Sequence, residues 1–156
     1  MRFYLLLMLA WLIMLATSCG KKPPNEPEIK YVGVSKPFMP QNRQDSMILE
    51  FNFTDGDGDL GNDGEDAIFI RDSRDSALVA TYQIPQYLQS NKKKCQEGTI
   101  TLVVYSRCCV YNDGTSCYAN PNVGLDSLYY LVQMRDRAGN WSNMIQTELI
   151  ELDCSR

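Results

Sequence analysis

The chain has 156 residues, with 15 Lys and Arg against 19 Asp and Glu and no histidine, a length that fits one domain of ordinary size. Without imidazole, Ser-His-Asp and Cys-His nucleophile systems, HExxH zinc sites and histidine proton shuttles are excluded. A formal net charge of −4, with no basic run longer than Lys92-Lys93-Lys94, argues against nucleic acid as a partner, because neutralising phosphates takes clustered Lys and Arg.

In chain order, Arg2 is followed by an uncharged apolar run from Phe3 to Ala16, the pattern of a secretory signal peptide over residues 1–18. The run is shorter than the roughly 20 apolar residues a spanning helix needs. It ends at Leu15-Ala16-Thr17-Ser18-Cys19, which resembles the lipobox of bacterial lipoproteins. That resemblance implies that Cys19 is acylated and becomes the mature N-terminus, anchoring the chain to membrane lipid. The alternative is an ordinary small-residue cleavage site with Cys19 a plain thiol. No Asp follows Cys19, and the same resemblance then points to the outer membrane, with periplasmic and surface faces both open. Residues 19–28 carry Pro23, Pro24 and Pro27 among polar residues and read as a semi-extended tether.

From residue 29 to 156 the pattern is β. Met47, Leu49, Phe51 and Phe53 share one parity against Ile48, Glu50, Asn52 and Thr54, the alternation of a half-buried strand. Ile100, Leu102 and Val104 repeat it, as do Leu128, Tyr130, Val132 and Met134. Weaker candidates are Ile29 to Ser35, Ala67 to Arg71, Leu78 to Ile84 and Met144 to Leu149, bounded by Pro, Gly, Asn and Asp. Only Tyr87 to Lys94 offers a single helical turn. About seven short strands predict an all-β, antiparallel sandwich of immunoglobulin or fibronectin type. In that topology the connection between the second and third strands (55–66) and that between the sixth and seventh (136–140) lie at the same end.

The first of these connections, Asp55 to Asp66, holds six acidic residues in twelve positions. Carboxylates at alternate positions with glycines between them can curl round one hard cation, and calcium is the ion such oxygen sets prefer. The predicted ligands are Asp55, Asp57 and Asp59, with the Gly61 carbonyl a fourth and Asp63 or Asp66 closing the sphere. The loop is not an EF-hand: Leu60 stands where that loop needs Gly at its sixth position, and a strand precedes it instead of a helix. A solvated acidic turn is the competing reading; a glycosidase carboxylate pair lacks a neighbouring aromatic cluster. Asp136 continues the inward parity of its strand and Asp55 that of its own, so both are expected to leave the core at one pole. There Asp136 either shares the cation or caps the Ala138-Gly139-Asn140 turn.

Phe51 to Gly61 together with Asp136-Arg137-Ala138-Gly139-Asn140-Trp141-Ser142-Asn143 resembles the small lipoproteins of Bacteroidota that carry one immunoglobulin-like or cadherin-like domain. The likeness covers nearly the whole chain, including Cys19 and the tether. It matches the family's loop pattern at Asp55, Asp57, Asp59 and Gly61 and its hairpin pattern at Asp136, Gly139 and Asn140, and it implies a calcium role for that loop.

If Cys19 is acylated, five cysteines remain for an oxidising compartment, so one thiol is left over. Adjacent Cys108 and Cys109 sit about 3.8 Å apart at Cα, too close for the usual bridge to each other. Strand directions gather Cys108, Cys109, Cys117 and Cys154 at one pole and put Cys95 at the other, so two bridges are expected within the four, with Cys95 unpaired. A zinc site lacks CxxC spacing. The functional reading is a non-enzymatic, membrane-tethered binding or structural module with an unknown protein or glycan ligand. The alternative is an accessory subunit of an envelope enzyme or transport complex, for which Tyr129, Leu131 and Trp141 are candidate contacts.

Overall fold

A computed structural model describes residues 23–41, 45–61, 64–84, 95–111, 113–115, 117–120 and 122–155. The signal peptide, Cys19, Asp63 and the turn expected over 87–94 lie outside them. The described chain is all-β, and no helix in it is long and apolar enough to cross a membrane.

The strands are β1 (Glu28–Val34), β2 (Phe38–Pro40), β3 (Ser46–Asp55), β4 (Ile68–Asp72), β5 (Leu78–Tyr82), β6 (Gln96–Tyr105), β7 (Leu125–Leu128), β8 (Tyr130–Met134), β9 (Ile145–Gln146) and β10 (Ile150–Asp153). One layer has the order β1-β3-β6, antiparallel throughout. The other has the order β5-β4-β8-β9 and is prolonged by β2-β10-β7, since β7 runs into β8 across Tyr129 and β9 into β10 across 147–149. This is a β-sandwich in which β5 joins β4, whereas the constant-type immunoglobulin arrangement would place that fourth strand in the layer of β1, β3 and β6.

Alternation decides which side chains meet between the layers. Met47, Leu49, Phe51 and Phe53 of β3, Val104 of β6, Ile68 and Ile70 of β4, and Leu128, Tyr130, Val132 and Met134 of β7 and β8 are all buried in one core. Filling it removes apolar surface from water at roughly 25 cal/mol per Å².

Ten segments stand where about seven were expected. All seven expected strands form; two of the differences are β2 and β10, which make a parallel ladder, Phe38 opposite Glu151, so the sheet is mixed where an antiparallel one was predicted. The seventh strand, expected over Met144 to Leu149, is broken at Thr147. Its hydroxyl accepts the Tyr130 N–H at 2.9 Å while its own N–H donates to the Tyr130 carbonyl at 3.0 Å. A hydroxyl thus replaces a ladder carbonyl, as side chains of Ser and Thr do where they compete with backbone. Ser73 does the same to Tyr129, which interrupts the sixth strand, and Ser142 to Met134.

Candidate functional site: an acidic loop on a buried carboxylate

β3 and β8 deliver two aspartates to one pole because each continues the inward parity of its strand. Asp55 is 0 % exposed and Asp136 2 %. The loop after β3 turns back through Gly58 and Gly61, whose φ angles of 75° and 79° lie in the left-handed region that side chains other than glycine rarely adopt. Leu60 then tucks into the core and forms a bridge opposite Asp136.

The turn brings Asp55, Asp57 and Asp59 together, each with a carboxylate oxygen within 4.8 Å of the others. Among the described residues this is the one such group. Both Asp55 oxygens, and Oδ1 of Asp59, are buried without a hydrogen-bond donor. Burial, followed by the charges of Asp57 and Asp59, pushes the Asp55 carboxyl up to about 6. Asp59 is raised by burial and then by the charges of Asp136 and Asp57.

The other predicted ligands have different duties. Asp136 accepts from the Asn140 N–H at 2.7 Å and from its side-chain amide at 2.9 Å, so it caps the hairpin turn. Its charge nonetheless acts on Asp55 and Asp59. The Gly61 carbonyl accepts from Arg137 Nε at 3.3 Å. Asp66, half-buried, stands outside the three-carboxylate group. The two loops meet at this pole: the Asp59 carbonyl accepts from Arg137 N–H, and Asp59 Oδ2 accepts from Ala138 N–H, both at 3.1 Å. The cap on the Asn140 turn is one of the two roles expected for Asp136; the clasps between the loops were not legible in the sequence, since a carboxylate and the amide it accepts from leave no joint pattern when they lie 79 positions apart.

The donor set suits a hard cation. All three carboxylates offer oxygen only, and calcium takes six to eight oxygens at once. A buried carboxylate with no donor is costly unless a positive charge reaches it, and no Lys or Arg ion pair involves Asp55 among the described residues.

At the opposite pole the structure bridges Cys108 to Cys117 and Cys109 to Cys154, and leaves Cys95 as a free thiol. No thiolate set for zinc remains among these four. On the outer face, Trp141 is exposed and packs against Phe69 with ring centroids 5.0 Å apart and planes tilted by 54°, with the Arg135 guanidinium over both rings; Tyr129 and Leu131 are half-buried.

Neither protein-family models nor curated proteins nor solved structures yield a match to this chain.

Proposed function

We propose that the chain is a lipid-anchored, non-enzymatic module of the cell envelope whose sandwich is stabilised by calcium at Asp55, Asp57 and Asp59. The observation that carries the cation is Asp55: a carboxylate with no exposure and no Lys or Arg counter-charge among the described residues, beside two more carboxylates. The apolar leader ending at Cys19 supports the anchor, and a pair of bridges at the far pole suits an oxidising compartment. The module presents its remaining surfaces, including the Trp141 cluster, to a protein or glycan partner of the envelope. When bound, calcium supplies the positive charge that Asp55 lacks; the chain's part is to hold three carboxylates on a rigid strand end.

Calorimetric titration with calcium chloride tests the site. Wild type is expected to bind with a dissociation constant of about 10⁻⁴–10⁻³ M, as extracellular modules do, and Asp57→Ala to give no binding heat. Wild type that takes up no calcium at millimolar concentration overturns the reading. A palmitate analogue fed to cells tests the anchor: it should tag wild type, and label retained in Cys19→Ala refutes acylation there.

A further inference from the structure

The segment leading into the sandwich lies against the acidic loop. The Gly56 N–H donates to the Pro24 carbonyl at 2.9 Å, and Gly56 is buried. A Cβ at Gly56 would stand 2.2 Å from the Pro23 carbonyl oxygen and 2.3 Å from that of Pro24, so the close approach requires hydrogen as the side chain. Pro27 is buried as well. Two residues later Ile29 is clasped from both sides by Asn143, whose Oδ1 accepts the Ile29 N–H and whose amide donates to the Ile29 carbonyl, each at 2.8 Å. The second half of the expected tether is therefore seated on the domain. Gly56 lies between Asp55 and Asp57, so the backbone that grips the segment is the backbone that aims two of the three carboxylates.

We propose that cation binding at Asp55, Asp57 and Asp59 and docking of the Pro23-Pro24 segment on Gly56 are thermodynamically coupled, so that the cation sets how firmly the sandwich is held to its N-terminal leader. The inference rests on the cation reading above. Without the ion, three neighbouring carboxylates repel and favour an opened loop, which withdraws the Gly56 N–H from Pro24. With it, the loop is drawn closed and the N–H stays aimed at the carbonyl. Coupling is reciprocal: whatever factor the ion adds to docking, docking adds to ion affinity, and couplings between sites are typically about 5- to 150-fold. The consequence is orientation. Pro23 is four positions after Cys19, at most about 14 Å of extended chain, so docking turns the acidic pole toward the anchor and the disulfide pole away from it.

Amide exchange at Gly56 in the full processed chain, with calcium chloride or with chelator, reads the coupling directly. Calcium is expected to slow exchange of this amide by about 5- to 150-fold, and to leave it unchanged in Asp57→Ala. Gly56→Ala, and separately the double change Pro23→Gly with Pro24→Gly, which leaves the loop untouched, should weaken calcium binding by the same factor. If wild type binds calcium while Gly56 exchange does not respond, or if both variants bind as tightly as wild type, the coupling is overturned and the site stands. If wild type binds no calcium at all, the site reading itself has failed and the coupling falls with it.

Discussion

Two aspartates end two strands at opposite poles, and the protein treats them in opposite ways. Asp72, at the end of β4, is 1 % exposed. Arg74 returns to grip it with Nε on Oδ1 at 3.0 Å and Nη2 on Oδ2 at 2.6 Å, and reaches Asp126 and the Cys108 carbonyl with Nη1. Asp55, at the end of β3, is as deeply buried, has no Lys or Arg ion pair among the described residues, and feels from the Asp59 backbone N–H a lowering influence smaller than the burial and neighbouring charges that raise it. Burial acts to raise both carboxyls; at Asp72 the hydrogen bonds and charge of Arg74 outweigh it and hold the group below its ordinary value of 3.8. At Asp55 the neighbouring charges of Asp57 and Asp59 add to it. One pole carries its own counter-charge and two covalent staples; the other gathers three carboxylates with no Lys or Arg ion pair on Asp55 among the described residues. Under the proposed cation reading, one pole has intrinsic order and the other an order that responds to its surroundings.

The largest effect expected at the self-sufficient pole comes from the long bridge. Cys109 and Cys154 are 45 residues apart and Cys108 and Cys117 only 9, so loop-closure entropy assigns about 4 kcal/mol to the first and about 2.5 kcal/mol to the second. Denaturant unfolding of Cys109→Ser and Cys117→Ser should rank them in that order, and an equal cost would show that the chain between them is already ordered when unfolded. Next comes Arg74→Met, expected to cost about 3 kcal/mol because it leaves a buried carboxylate with only the residue-74 N–H at 3.0 Å and Arg107 at 3.7 Å. Its pH dependence has a definite sign. A carboxyl lowered in the folded state contributes stability that is complete above the unfolded value near 3.8 and is lost as pH falls through the folded one. Wild type should therefore lose stability as pH falls below about 4, and that acid limb should flatten in Arg74→Met.

Under the proposed cation reading, the acidic pole should answer the matching change with the reverse sign. In chelator, Asp55→Asn removes an unpaired buried charge and is expected to stabilise by about 1–2 kcal/mol; in excess calcium it should destabilise relative to wild type. Loss of stability in chelator would mean that the Asp55 charge is compensated within the protein. The smallest effect belongs to Cys95→Ser, whose half-buried thiol makes no bridge; a change within about 0.5 kcal/mol is expected from equilibrium unfolding.

The contrast between the poles also explains what could be read from the chain beforehand. Parity along Met47 to Phe53 and Leu128 to Met134 carried the inward rows and, extended by one step, the burial of Asp55 and Asp136, because a strand's period of two is enforced wherever one face is packed. Carboxylate spacing in Asp55, Asp57 and Asp59 announced the loop for the same local reason. β2 was invisible: three residues pairing in parallel with a segment over a hundred positions later have no period of their own. So was the Asp72 network, since Asp72-Ser73-Arg74 resembles any polar turn and its second carboxylate, Asp126, is 52 positions from Arg74. The breaks at Tyr129 and Thr147 escaped because they depend on a hydroxyl finding a particular backbone N–H across the sheet.

Gln41 has a consequence for how the staples come to be made. Its side chain is buried between the two half-cystines of the long bridge: Oε1 accepts the Cys109 N–H at 3.0 Å, and Nε2 donates to the Cys154 carbonyl at 2.9 Å. These contacts need no sulfur–sulfur bond. With β10 paired to β2, they hold the Cys154 and Cys109 backbones side by side, so this one amide is expected to favour that pairing and leave Cys108 to Cys117. The five cysteines after Cys19 have many ways to join wrongly; a chain that holds the right two side by side by hydrogen bonds meets an oxidant with its choice already made.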